Sequence, residues 1–335
     1  MTIDSFTDHA HGNHADWADP VLTPLTRTQA ARLVRIGLTV AARLGLDVAY
    51  DGGAALVPVE SSASGPVLGL SNLARILSRY EEQHWPALVD EHFVQLVDCL
   101  RHGPPAPPAD PERELIQRLV PREALPADWA ADRPEFVPGL LSVPSAVNDG
   151  VVTMYLDPPD LGLTWAEAER FGLTNLRRLT DHVEYVDHDD IRIALVTGTA
   201  FAASRALVLD TVVRESLHLD HPSHGLLVAL PARDLLLVHV VHDLSVIPAL
   251  GLLLNLAARS HTHDPGPLSP DVHLVTPTNT TKLSPEAVSG PDSSHTWTWH
   301  PATTASPGHA PLRLSHPLES LTRRLAADEP RPTPG

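Results

Sequence analysis

Lysine is nearly missing from this sequence. Lys282 is the only one, and the other basic residues are arginine. A Walker A phosphate loop needs Gly-Lys-Ser/Thr, whereas Lys282 follows Thr281, so P-loop chemistry is excluded. A Schiff-base enzyme would have to use Lys282 from a Pro- and Thr-rich segment, a poor setting for a desolvated amine. Cysteine is as scarce. Cys99 stands alone, which leaves no intrachain disulfide and no Cys-based zinc site. It falls at the margin of an apolar helical stripe with no neighbouring charge that would make it a thiolate, so packing is its expected role. Positive charge is also short, with 24 basic against 41 acidic residues and a formal net charge of −17. No basic stripe exists to replace counterions on phosphate, which argues against nucleic acid and anionic membranes as partners.

Long apolar runs are missing too. Residues 226–258 are the most apolar region, yet Pro231, Arg233, Asp234, His239, His242, Asp243 and Pro248 interrupt them. No run reaches the ~18 residues of a membrane helix. The opening MTIDSFTDHAHGNHADWADP lacks the apolar core of a signal peptide. With so little cysteine, the expected location is the cytoplasm. Several catalytic motifs are absent: no G-x-G-x-x-G follows a strand, and there is no G-x-S-x-G elbow and no H-E-x-x-H helix. His182-Val183-Glu184 matches the H-x-E of zinc deaminases, but their P-C-x-x-C is missing. No cofactor is expected.

Histidine and proline are abundant, at 20 and 33 residues. Full histidine protonation would move the formal charge from −17 to −17 + 20 = +3, so association is expected to respond to pH. The prolines cluster and suggest boundaries. Residues 1–24 read as a disordered tail and 25–103 as an N-terminal α+β subdomain. Residues 104–111 form a Pro-rich linker, containing Pro104-Pro105-Ala106-Pro107-Pro108. Residues 112–285 read as a C-terminal α+β core domain, and 286–335 as a largely disordered Pro/Ser/Thr-rich tail with two ordered islands. These are an edge strand at Trp297 and Trp299, and an amphipathic helix carrying Leu318, Leu321 and Leu325.

Periodicity predicts helices over 28–44, from Ser71 and over 87–100, with a hairpin turning at Asp51-Gly52-Gly53. Thr164-Trp165-Ala166-Glu167 is a capping box, opening a helix expected to break at Gly172 and run to Leu179. Residues 183–186 and 191–196 flank Asp187-His188-Asp189-Asp190 as a hairpin. A regular helix is expected over 203–217, with Asp210 and Arg214 paired at i,i+4. The runs 226–230 and 235–241 read as buried central strands, followed by a helix over 245–259 and a strand over 272–276. The fold class is α+β, a mixed sheet with helices packed on it.

Two polar points stand out in that core. Ser204-Arg205 opens the 203–217 helix. Ser204 reads as its N-cap, or with Arg205 as an anion site at the helix start. Asp234 closes the turn Pro231-Ala232-Arg233-Asp234 or pairs with Arg205. Asn175 and Arg177 are expected nearby. Histidine spacing offers weaker metal candidates. His239 and His242 lie three apart at a strand end, and His261 and His263 share a loop. His218, His221 and His224 repeat every three residues across Pro222. None of these sets supplies the ligands that zinc wants, so no metal is expected.

Asn175-Leu176-Arg177-Arg178-Leu179, Ala203-Ser204-Arg205-Ala206-Leu207 and Val228–Leu237 resemble corresponding stretches of the YtpQ-like bacterial proteins of unknown function. Those have a helix ending in N-L-R, a strand, a D-G-Y-D-A-S-R-like helix entry and an A-x-P-x-x-D strand. The Tyr-Asp before Ala-Ser-Arg is here Phe201-Ala202, and the Gly is Ala200. The resemblance implies an α+β, cytoplasmic bacterial protein and brings no activity. The expectation is a non-enzymatic binding or accessory module whose partner is another protein. The alternative is a hydrolase or transferase acting on an anionic small molecule near Arg205 and Asp234.

Overall fold

The computed structural model describes residues 17–59, 67–103, 106–148, 151–220, 222–278, 297–304 and 313–328. The chain is α+β and divides into two compact units: 1–104 with 262–265, and 105–261 with 266–335.

In the first unit, helix α1 (Arg27–Arg43) starts at a reciprocal cap. Thr26 Oγ1 accepts from the Gln29 amide at 3.3 Å, and Gln29 Oε1 accepts from the Thr26 amide at 3.1 Å. The helix ends at Gly45, whose φ of 78° lets Leu46 N donate back to Ala41 O. Strands β1 (Val48–Tyr50), β2 (Ala55–Pro58) and β3 (Leu68–Gly69) form one antiparallel sheet. Helices α2 (Ser71–Leu77) and α3 (Trp85–His102) complete the core around Leu33, Leu56, Trp85 and Phe93. Leu22 is also fully buried there, so the expected tail 1–24 is packed at Leu22. Burying Leu22 and Leu25 outweighs the polar composition around them. Tyr80 lies beyond the end of α2 at Leu77 and is exposed.

In the second unit, α4 (Pro111–Glu114) leads into β4 (Ile116–Pro121), and α5 (Ala127–Ala131) precedes β5 (Leu140–Asn148) and β6 (Val151–Met154). The three strands form one antiparallel sheet. Asp149 and Gly150, between β5 and β6, lie outside the described residues. Helix α6 (Trp165–Arg177) begins at the Thr164–Glu167 capping box and runs unbroken through Gly172. Gly172 is there for contact, not for a break. A Cβ at that position would sit 2.8 Å from Gln117 N and 2.7 Å from Gln117 Oε1, so the missing side chain lets α6 lie directly on β4.

The main sheet has six strands in the order β12-β11-β9-β10-β8-β7, all antiparallel. They are β7 (His182–His188), β8 (Ile191–Thr197), β9 (Leu226–Ala232), β10 (Leu235–Val240), β11 (Val272–Pro277) and β12 (Trp297–Pro301). Strand β9 is apolar at nearly every position because both its faces are covered. Leu226, Val228 and Leu230 enter one core; Leu227 and Ala229 enter the other. The second core is closed by helices α8 (Val246–His263) and α9 (His316–Asp328), the latter through Leu318, Leu321 and Leu325. Both islands expected within 286–335 are present: β12 pairs with β11, and α9 packs on the second core, while residues 279–296, 305–312 and 329–335 lie outside the described ones.

The segment 203–216 covers the other face, and it is not the regular helix expected. It winds as a 3-10 turn over Ala203–Val208, a single α turn α7 (Leu209–Thr211) and a π turn over Val212–Ser216. The change of pitch keeps Ala203, Ala206, Leu209, Val212 and Val213 on the sheet. Asp210 accordingly lies 3.5 Å from Arg177, and Arg214 lies 3.0 Å from Glu215. Gly172→Ala is expected to lower stability by ~1–3 kcal/mol through overpacking of α6 on β4, read from urea unfolding. An unchanged midpoint would show that the helix can stand off the strand.

Candidate functional site

Arg205 and Asp181 form an ion pair at the centre of the second unit. Their side chains are 2% and 3% exposed. Arg205 Nε donates to Asp181 Oδ1 at 3.0 Å, and Nη2 donates to Oδ2 at 2.9 Å, a bidentate fork. Nη1 donates to Leu176 O, and Ser216 Oγ donates to Asp181 Oδ2. The pair thus ties together the end of α6, the entry to β7 and both ends of the 203–216 segment. Taking two ions out of water is costly, and only such complete pairing offsets it.

This arrangement corrects the sequence expectation for Arg205. Its fork is closed on Asp181, so it offers no open anion site, and its partner is not Asp234. Ser204 is not a cap either. Its Oγ accepts from the Leu119 amide at 2.9 Å, joining the segment to β4, while the residue in the cap position is Ala202. Asn175 is also engaged in structure: Nδ2 donates to the carbonyls of Glu112 and Leu115 at 2.8 and 2.9 Å, and Oδ1 accepts from Arg178. Arg177 and Arg205 do share a polar cleft of about 620 Å³ with Asp181, Ser216 and His218. Asp234 lies at the β9–β10 turn and does not line that cleft.

A second cleft, of about 330 Å³, opens where β8 begins and β10 ends. Tyr185, Leu217 and Val238 give it apolar surface, and Asp190, His239, His242 and Asp243 give it polar groups. Arg192 also lines it, but its guanidinium grips Asp187 at 2.7 and 3.1 Å. Asp243 accepts from the Ser245 amide at 2.8 Å, and hydrogen bonds from Ser245 hold its carboxyl below the usual range. His239 is 4% exposed. Its Nδ1 lies 3.0 Å from Arg192 O, and a carbonyl can only accept, so Nδ1 carries the proton. Burial keeps the ring neutral by lowering its pKa, an effect strengthened by His242 and opposed by the Arg192 bond and Asp243. Nε2 is left as a buried acceptor with no partner among the described residues.

The weak metal candidates separate. His239 and His242 meet at this cleft, but His261 and His263 are in the last turn of α8, roughly 200° apart about its axis. Among the described residues no three His, Cys, Asp or Glu side chains are placed to hold a metal ion. No helix of the described residues is long and apolar enough to cross a membrane. Asp181, Ser216, Asp190 and Tyr185 were not singled out from the sequence. Asp181 precedes a strand with no local motif around it, and only tertiary folding brings it to Arg205.

The chain matches no protein-family model, no curated protein and no solved structure.

A third histidine, His273 on β11, is 2% exposed beside Trp299, and neither ring nitrogen has a partner among the described residues. Burial depresses its pKa, against a smaller opposing effect of Asp271. His239 and His273 therefore bind protons less readily when folded than when unfolded, where their pKa is ~6.5. Above that pH both states are neutral and full stability is present. As pH falls through it, the unfolded chain takes up protons that the folded chain refuses, and stability declines. Urea midpoints should drop between pH 7.5 and 5.5, and His273→Leu should reduce that drop without loss at pH 7.5. A wild-type midpoint that is flat over this range would contradict the assignment.

Proposed function

We propose that this protein is a non-enzymatic binding module whose partner is another protein, taken as an extended segment along the outer edge of β7. The supporting observation is how the polar residues divide. Ser204, Arg205 and Asn175, the groups best suited to chemistry, are each engaged inside the core. Strand β7 ends the six-stranded sheet, and among the described residues no strand pairs with its outer side. An open edge is a template for an added strand, whose main chain supplies affinity and whose side chains supply selectivity. Glu184, Asp187, Asp189 and Asp190 make the edge and its hairpin tip acidic, and the whole chain is −17, so the segment it fits is basic. An anionic small molecule is the weaker reading, because the closed Arg205–Asp181 pair removes the cation on which it rested.

Fluorescence anisotropy with a ten-residue peptide of alternating arginine and valine tests this, against the same peptide N-methylated at every second amide. The plain peptide should bind, and methylation should weaken it by roughly tenfold or more through lost ladder hydrogen bonds. Equal binding of the two would mean that charge alone holds the peptide and that β7 takes no strand.

A further inference from the structure

Arginines that leave the surface of this protein meet a counter-group. Arg32, Arg122, Arg177 and Arg205 face carboxylates, Arg75 donates to carbonyls, and Arg133 lies over the rings of Trp129 and Trp165. Arg118 and Arg233 break the rule. Both are half-buried, and neither guanidinium has a carboxylate, carbonyl or ring partner among the described residues. Arg118 Nε is closed off from solvent and bare, while its two terminal nitrogens still reach water. Backbone bonds bring the two arginines to one junction. Leu119 N donates to Ser204 Oγ at 2.9 Å, and Ala203 N donates to Arg233 O at 3.1 Å. Adjacent residues of the 203–216 segment thus hold β4 beside Arg118 and the β9–β10 turn at Arg233. Arg233 is seated further by its own amide, which donates to Gly266 O at 2.8 Å. Its stem lies where a Cβ on Gly266 would come within 2.5 Å of Arg233 Cδ, so only glycine leaves it room. Burial lowers the pKa of Arg118, the Arg233 charge lowers it further, and no carboxylate counters them. Asp234, the next residue, pairs with neither arginine among the described residues. A guanidinium cannot relieve this by shedding its proton at neutral pH, so an anion is what the junction lacks.

We infer that Arg118 and Arg233 together form a binding site for a phosphate group, free or as the monoester of a small molecule, whose oxygens accept from the terminal nitrogens of both guanidiniums. Charge decides for phosphate over carboxylate. Two cations are matched by a phosphate dianion, whereas a carboxylate leaves one of them unmatched. The planar guanidinium fork also fits two oxygens of a phosphate at once. The site lies apart from the edge of β7 and does not depend on the reading of that edge.

The test titrates inorganic phosphate, methyl phosphate and acetate into the full-length protein by calorimetry, at pH 7.5 and fixed ionic strength. Phosphate should bind at one site, at least about tenfold more tightly than acetate. Methyl phosphate binding as well as phosphate assigns the site to esters, and phosphate binding alone assigns it to the free anion; either supports the inference. Arg118→Gln and Arg233→Gln should each weaken phosphate by roughly tenfold or more, the loss of a charged hydrogen-bond donor. Folding is read separately from urea midpoints. Without phosphate, Arg118→Gln should leave the midpoint unchanged or raise it, because it removes an uncompensated cation. Added phosphate should raise the wild-type midpoint and not that of either variant. Acetate binding as tightly as phosphate, or phosphate binding that survives both substitutions, would overturn the inference. So would a wild-type midpoint indifferent to phosphate.

Discussion

The buried ion pair between Arg205 and Asp181 is the constraint on which the second unit depends. Four pieces of chain meet there: the last turn of α6 through Leu176 O, the entry to β7 through Asp181, and the two ends of the 203–216 segment through Arg205 and Ser216. That segment has no regular helical ladder to hold it, because it changes pitch twice. The ion pair supplies the fixed geometry that its backbone does not. Apolar burial then does the rest, with Ala206, Leu209 and Val213 pressed on β9 and β10.

This bears on function because the same residues were the best candidates for chemistry. An arginine beside a serine at a helix entry is also how an anion site looks in sequence. Geometry separates the two, since an arginine with its fork closed on a carboxylate cannot also grip a ligand without releasing a buried charge. What remains, among the described residues, is the outer edge of β7, with which no strand pairs. On the reading proposed above, an acidic protein with an unpaired β edge takes a basic, extended partner.

Much of the fold was legible wherever one local rule decided it. The Thr26 and Thr164 caps, the β7–β8 hairpin and the doubly buried β9 follow from residue types a few positions apart. Gly172 was misread because a glycine inside a helix signals weakness locally, and its contact with Gln117 is 55 residues away in sequence. The 203–216 segment was misread because its apolar spacing fits an α-helix nearly as well as the mixed winding it adopts. Composition misled near the N-terminal end, where a polar stretch conceals Leu22 at a core position, whereas the Trp299 strand and the Leu325 helix were legible from their spacing. The site was legible as a set of residues but not as a set of partners. Ser204, Arg205 and Asn175 do gather near one another, yet Asp181 and Leu119, which decide their roles, carry no motif.

A double-mutant cycle on Arg205 and Asp181 tests the account most directly. Arg205→Met and Asp181→Leu are made singly and together, and unfolding free energies are measured in urea at pH 7.5. Each single change should cost ~3–5 kcal/mol, because it strands a buried charge, and the double should cost far less than their sum. Single changes that cost under ~1 kcal/mol, or that simply add, would show a solvent-screened pair. Arg205 would then be free to serve as a ligand site after all.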